Sequence, residues 1–236
     1  MTYMQELYVN SFFSIEGYAH KALFKDCRYP WEALLFLKSY LEKQTLGKIK
    51  TQSIPSTAFL INPQLISIGK GSRIEPGAYI AGPCIIGEDC EIRQGAYIRG
   101  NVIIGNGCVV GHATEVKNSI FLDGATAAHF NYVGDSILGN EVNLGAGLIC
   151  ANYRLDHREV PVFFNEKKIP TELKKFGAVI GDGAQLGCNC VLNPGTLIGK
   201  NVLCYPCLNV SGYIPERAVI KASEKIRMIK RLSSKP

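Results

Sequence analysis

"IGKGSRIEPGAYIAGPCIIGEDCEIRQGAYIRGNVIIG", residues 68–105, decides the fold. Stepping by six from Ile68 lands on Ile74, Ile80, Ile86, Ile92, Ile98 and Ile104, then on Val110, Val116, Leu122 and Ala128. Glycine often follows, as in Ile68-Gly69, Ile86-Gly87 and Ile104-Gly105. Two five-residue steps then run through Val133 to Leu138, and the beat resumes at Leu144 and Cys150. It returns at Ile180, Leu186, Leu192, Ile198, Cys204 and Val210. A period this short is the mark of a β-solenoid. Each six residues supply one short strand and a turn, and three such sides close a triangular coil of about eighteen residues. The aliphatic residue points inward. The position four later shares that interior and must be small, and it holds Ser72, Ala78, Cys84, Cys90, Ala96, Cys108 and Cys190.

The rest of the chain is organised around this beat. With 236 residues, 47% apolar and 19% charged, the composition is that of a folded protein, and 24 glycines point to many turns. Residues 1–50 read as a helical or mixed lead-in. In "PWEALLFLKSYLEKQTLG", Pro30 suits a first helical turn, apolar residues recur at helical spacing, and Gly47 can end the helix. A β-helix has open sheet edges at its two ends, and this segment is a candidate cover for one of them. The β-helix is expected over residues 51–214. An excursion over residues 154–175, "RLDHREVPVFFNEKKIPTELKK", breaks the beat, and long loops thrown from a regular scaffold tend to be functional or partner-contacting. Residues 215–236 read as a basic closing helix or tail, with Pro215 near its start.

Composition also excludes several classes. The net charge of +6 sits largely in the tail from Lys221, which reads as a solvated end, and no arginine–aromatic interleaving suggests a nucleic-acid surface. Nine cysteines are an odd number and argue against a fully paired disulfide framework; most fall on inward positions and read as small buried hydrophobes. No secretory leader and no apolar run of roughly 18 residues are evident, so a cytoplasmic protein with no membrane span is expected. Phosphate-loop, nucleophile-elbow and metal-ligand spacings are missing. Chemistry here is expected to rest on proton transfer and positioning, with no metal.

Arg99 and Lys117 each follow an aliphatic beat residue and lie one coil apart, so they should stack on one side of the solenoid. Two cations this close repel unless a phosphate or a carboxylate compensates; solvated surface charge is the alternative. His129 sits where the beat slips, with Glu115, Tyr132 and Asn143 within two coils, a set able to supply a general base and an orienting carboxylate. His112 lies in the same region, and spacing does not choose between the two histidines.

The run from Tyr97 to Tyr153 resembles the acetyltransferase domain of bacterial bifunctional N-acetylglucosamine-1-phosphate uridyltransferases, in the pieces "YIRG", "TEVKNS", "AHFNYVGD", "NLGAG" and "CANY". "KKFGAVIGDGAQLGCNCVLNPGTLIGKN" is similar to archaeal relatives that acetylate amino-sugar 1-phosphates. The resemblance implies a left-handed β-helix that forms a homotrimer with sites between neighbouring subunits. It implies acetyl transfer from acetyl-CoA, as co-substrate, to the amine of glucosamine 1-phosphate, a step toward UDP-N-acetylglucosamine. Carried onto matching positions, Arg99 and Lys117 hold the sugar phosphate, His129 takes the proton from the amine and Glu115 orients its imidazole. Tyr132 and Asn143 contact the sugar, Asn152 and Tyr153 lie close to the acetyl group and sugar, and Arg158 falls near a lysine position of the family. Cys188 and Pro206 stand where the family lines the CoA channel with small residues, and Pro206 removes a backbone donor there. The family's nucleotidyltransferase half has no counterpart in these residues. The alternatives are a same-fold acyltransferase for another acceptor, such as a nucleotide-linked amino sugar, and a non-catalytic trimeric scaffold. Joint presence of Arg99, Glu115, Lys117, His129, Tyr132 and Asn143 favours an enzyme.

Overall fold

The computed structural model describes residues 2–222. It is a mainly-β, left-handed parallel β-helix with a helical N-terminal region. The chain winds through three faces of eight parallel strands each, joined by tight corners. Face I carries Tyr97–Ile98, Glu115–Lys117, Tyr132–Gly134 and Ile149–Cys150; face II carries Val102–Ile104, Ser119–Phe121 and Ile137–Leu138; face III carries Val109–His112, Thr126–His129 and Asn143–Leu144. Backbone groups pair with the coils above and below, so the solenoid satisfies its own polar groups. Left-handed corner residues such as Asn101, Asn118 and Asp135 recur at one edge. Asparagine and aspartate tolerate that conformation at little cost.

The interior is the aliphatic column read from the sequence, and Cys84, Cys90, Cys108, Cys150, Cys190 and Cys204 all lie within it. All nine cysteines are free. The register departs from the expected beat at one place. The inward residues after Val116 are Phe121, Ala127, Val133 and Leu138, so the first short step falls between Val116 and Phe121 and not between Ala128 and Val133. Leu122 misled the count because it too is fully buried, but in a second core outside the solenoid.

That second core corrects the role expected for the lead-in. Most of residues 2–50, the helix included, lie along face II; only residues 48–50 reach an end of the solenoid, where Ile49 bridges Ile68 of Ile66–Ile68, the first strand of face II. Outward side chains Ile103, Ile120, Ile137, Val179 and Leu197 pack there against Phe12, Phe13, Phe24, Trp31, Leu37 and Leu41. Strands Val102–Ile104, Ala178–Ile180 and Thr196–Ile198 are buried at every position, as strands covered on both sides must be. The helix spans Glu32–Glu42 and buries Ala33, Leu34, Leu37 and Leu41 on one stripe. Its Glu32 carboxylate accepts from the amides of Arg28 and Tyr29 at 2.7 and 3.0 Å, closing the N-terminal turn. Gly47 falls beyond the helix end, with φ +85°.

The excursion folds as a hairpin, Val162–Phe164 against Lys167–Ile169, turned by Asn165 and Glu166, both at positive φ. Val160, Val162, Phe164 and Phe176 join the second core, and Phe176 meets Trp31 with ring centroids 6.3 Å apart. The closing helix expected from Pro215 does not begin there. Residues 213–220 form strand, turn and strand, with Val219–Ile220 pairing with Leu203–Cys204, because the inward beat persists through Ile214 and Ile220. The rest of that expected helix, residues 223–236, lies outside the described residues.

Candidate active site

Face I and its two bordering corners hold most of the expected site. Strand Glu115–Lys117 pairs with Tyr97–Ile98 on one side and Tyr132–Gly134 on the other. Val116 opposes Ile98, which sets Lys117 beside Arg99 in the adjacent coil, as the spacing requires. The two cations are compensated within the chain. Arg99 Nη1 donates to Glu115 Oε1 at 2.7 Å, and Lys117 Nζ donates to Asp135 Oδ2 at 2.8 Å. The first pair is half-exposed; in the second the Asp135 carboxyl is only 6% exposed. The bond to Glu115 raises the Arg99 guanidinium still further above neutrality.

Asp135 gathers more than Lys117. Its Oδ2 also accepts from Asn152 Nδ2 at 2.5 Å, and its Oδ1 accepts from Asn118 Nδ2 at 2.8 Å. The Asn152 amide nitrogen lies 3.1 Å from the Tyr132 hydroxyl. Burial is the main cause that pushes the Tyr132 phenol up, so it stays protonated at neutral pH. Lys117, Tyr132 and Asn152 thus form one polar cluster around a buried carboxylate, with Arg99 and Glu115 alongside. Asp135 and Asn118 were not among the residues singled out from the sequence. The signal was present: Asp135 follows Lys117 by the same interval that separates Lys117 from Arg99.

His129 lies elsewhere. It ends strand Thr126–His129 on face III, exposed, at the corner leading to face I. Glu115 is engaged by Arg99, and among the described residues no hydrogen bond joins it to the His129 ring. His112 is the register partner of His129 one coil earlier; its Nδ1 lies 2.9 Å from the Gln94 carbonyl and its ring meets Phe130 edge-on at 5.1 Å. That leaves His129 the more exposed histidine of the two. Tyr132 begins the strand that follows His129, while Lys117 and Asp135 lie at the opposite edge of face I. The two edges are roughly 10 Å apart, three residues of extended chain.

The same corner continues upward. The amides of Gly147, Asn189 and Cys207 donate to the carbonyls of His129, Ala146 and Cys188 at 3.0, 2.8 and 2.8 Å. Cys188, exposed, therefore lies in the corner column of His129. Pro206 lines a shallow groove of about 330 Å³ on face III together with Asn143, Gln185, Gly187, Leu203 and Tyr205. Asn143 is exposed there and is not part of the Asp135 cluster. Tyr153 and Arg158 belong to the base of the excursion. The Tyr153 hydroxyl lies 3.0 Å from His157 Nδ1, and Lys175 Nζ stands 5.7 Å from its ring centroid. Arg158 is exposed, with its backbone amide 3.3 Å from Asp156 Oδ1. Among the described residues no group of His, Cys, Asp and Glu is arranged to hold a metal ion, and no helix is long and apolar enough to cross a membrane.

The chain is similar to several known proteins. Residues 80–163 match a family described as the GMPPB C-terminal domain. A bifunctional sugar-1-phosphate nucleotidylyltransferase/acetyltransferase of Sulfurisphaera tokodaii is 41% identical over 92 residues, 39% of this chain and 23% of that protein. A bifunctional protein GlmU of Methanococcus maripaludis is 33% identical over 194 residues, 80% of this chain and 45% of that protein. A UDP-N-acetylglucosamine acyltransferase structure from Francisella novicida gives a TM-score of 0.47 at 15% identity, over 73% of this chain and 59% of that one. The chain spans less than half the length of these curated relatives. It is a hexapeptide-repeat, left-handed β-helix protein related to the GlmU-type bifunctional proteins.

Proposed function

We propose that the protein is an acetyl-CoA-dependent N-acyltransferase acting on an amino sugar that carries a phosphate, either as a sugar 1-phosphate or within a nucleotide link. The observation that carries this reading is the alignment of three features across one face. The Lys117 ammonium, Asn152 and the hydroxyl that Tyr132 extends across the face, with Arg99 beside them, cluster at one edge of face I. An exposed imidazole, His129, stands at the other edge. The groove at Asn143 and Pro206 opens on the face beyond. The acceptor would lie along face I with its phosphate toward Arg99 and Lys117. Its amine would then lie toward His129, and the thioester would approach from face III.

The chemistry follows from the groups. An ammonium cannot attack a thioester, so the amine must shed a proton as its nitrogen bonds to the acyl carbon. The His129 imidazole takes that proton and returns it to the sulfur as the carbon–sulfur bond breaks. A backbone N–H at the corner would hold the transient oxyanion. CoA supplies the activated acyl group, and this chain positions it. The groove is much smaller than CoA and offers one wall of a channel. A homotrimer would complete the channel using faces I and III, which the lead-in leaves uncovered and which expose Tyr97, Phe130, Leu203 and Tyr205.

Both carboxylates beside the cations bear on the choice of acceptor. Arg99 and Lys117 are already neutralised, so a phosphate monoester near two charges meets Glu115 and Asp135, whereas a diphosphate link carries one charge on each phosphate and holds the second farther from those carboxylates, with less repulsion. This favours a nucleotide-linked amino sugar over glucosamine 1-phosphate. The test is thiol release from acetyl-CoA with each acceptor, for wild type and His129→Ala. Release with one of them, lowered about 10²–10⁴-fold in the variant, supports the reading. No release with any amino sugar, together with no CoA binding, replaces it with a trimeric binding scaffold.

A further inference from the structure

We propose that Asp135 is a positioning residue, one that aims Lys117 and the Tyr132 hydroxyl at the acceptor without touching it. The role of these donors rests on the acyltransfer reading above. Their dependence on Asp135 does not.

The geometry is specific. The Asp135 backbone is fixed at both ends: its amide donates to the Lys117 carbonyl and its own carbonyl accepts from Gly177, each at 2.9 Å. Its φ of 48° turns the side chain back over face I, where it meets donors from the two coils that flank its own. Lys117 has three N–H groups; Asp135 takes one and leaves two facing outward. Lysine is a flexible stem ending in a point charge, so an anchored ammonium differs greatly from a free one. The second branch works through Asn152, whose single amide nitrogen bridges Asp135 Oδ2 and the Tyr132 oxygen. Because that oxygen accepts from Asn152, the phenolic proton is left to donate away from the cluster. One buried carboxylate thus sets the direction of both outward donors. A carboxylate 6% exposed would be costly without such partners, and here each oxygen has at least one.

The connection extends behind the site. Gly177, which bonds the Asp135 carbonyl, follows Phe176, whose amide donates to the Asn152 carbonyl at 2.9 Å. Phe176 is buried in the second core beside Trp31. The lead-in and the excursion therefore brace the same two residues, Asp135 and Asn152, from the side opposite the acceptor.

The test variant is Asp135→Asn, since asparagine tolerates the left-handed backbone and keeps the shape while replacing one acceptor oxygen with a donor. Two readouts are taken. Brief acylation with acetic anhydride followed by mass spectrometry reports how tightly the Lys117 ammonium is held. Its labelling relative to exposed Lys38 is expected to rise about fivefold or more in the variant. Steady-state kinetics with the accepted amino sugar should show acceptor KM raised about tenfold, with kcat and acetyl-CoA KM changed by less than about threefold. If Asp135→Asn does not fold, Asn118→Gly removes the Oδ1 donor while keeping the left-handed turn, and is expected to raise Lys117 labelling in the same direction. Unchanged labelling overturns the proposal whether or not the wild type transfers an acetyl group. Raised labelling with an unchanged acceptor KM overturns it as well. A wild type with no transfer at all counts against the proposed function, and the labelling then decides the role of Asp135 alone.

Discussion

The carboxylate of Asp182 accepts from the backbone amide of Ser14 at 2.7 Å, joining residues 168 apart in sequence. The same carboxylate takes the amide and side chain of Asn140 at 2.8 and 3.0 Å, and Lys200 stands 3.7 Å away. Asp182 also donates its own amide to the Phe12 carbonyl at 2.9 Å. One side chain thus pins the lead-in to a corner of the solenoid. Asp182→Ala is expected to cost about 2–3 kcal/mol in urea unfolding, because several donors lose a charged acceptor together. A change below about 0.5 kcal/mol would mean that the apolar contacts along face II hold the lead-in without it.

Ile120 tests that apolar face directly. It points outward from the solenoid, and on a bare β-helix it would be a surface residue. Here it is fully buried under the lead-in. Ile120→Ala is expected to destabilise by about 2–5 kcal/mol, the cost of a core truncation. The expected cost for a bare flank is near zero, so chemical denaturation separates the two arrangements.

The solenoid was legible because one interior position repeats. Isoleucine at every sixth residue, with a small residue four later, leaves few other folds. What misled was apolar character with two possible causes. Leu122 is buried by the lead-in and Phe121 by the solenoid, and in sequence they are neighbouring apolar residues with equal claims to the beat. The same ambiguity hid the lead-in's location. Runs such as "NVIIG" and "NSIFLDG" carry apolar residues on both sides of a strand, which signals a covered face rather than a covered end. At the candidate site, the spacing of Arg99, Lys117 and Asp135 was readable, whereas the pairing of each cation with its carboxylate was not. A carboxylate from the next coil binds only if a left-handed corner swings it back, and that depends on backbone angles at Asp135 which spacing does not encode.

His20 gives the lead-in a pH dependence. Its Nδ1 lies 3.0 Å from the Tyr40 hydroxyl, its ring meets Tyr18 and Tyr40 edge-on, and Lys48 and Lys50 line the same recess. Burial lowers its pKa from the ordinary 6.5, with Asp123 opposing in part. The folded protein therefore favours the neutral ring, and on acidification the unfolded chain binds the proton first. This contribution to stability is complete above the unfolded value and is lost as pH falls through the lowered folded value. Unfolding free energies should decline with acidification below about pH 6.5, and His20→Gln should decline less steeply over that interval. Equal slopes for the two proteins would assign the acid sensitivity to other groups.

Two glycines on neighbouring parts of the site should respond in opposite ways. A Cβ on Gly134 would lie 2.6 Å from the Tyr132 hydroxyl and 2.7 Å from Asn152 Nδ2, both side-chain atoms able to move. Gly134→Ala should therefore keep most of its stability while pushing Asn152 off Asp135 and the Tyr132 hydroxyl off Asn152, with acceptor KM rising about tenfold at little change in kcat. A Cβ on Gly111, beside His112, would run into the Ala128 carbonyl, and that backbone is held in the strand ladder ending at His129. Gly111→Ala should cost about 1–3 kcal/mol, as overpacking does, and should lower the fraction of folded protein before it alters the acceptor KM of what remains. Thermal unfolding and steady-state kinetics on the two variants separate the outcomes. If Gly134→Ala loses the greater stability, the Tyr132–Asn152–Asp135 cluster contributes chiefly to folding, and its alignment along face I serves the β-helix rather than an acceptor.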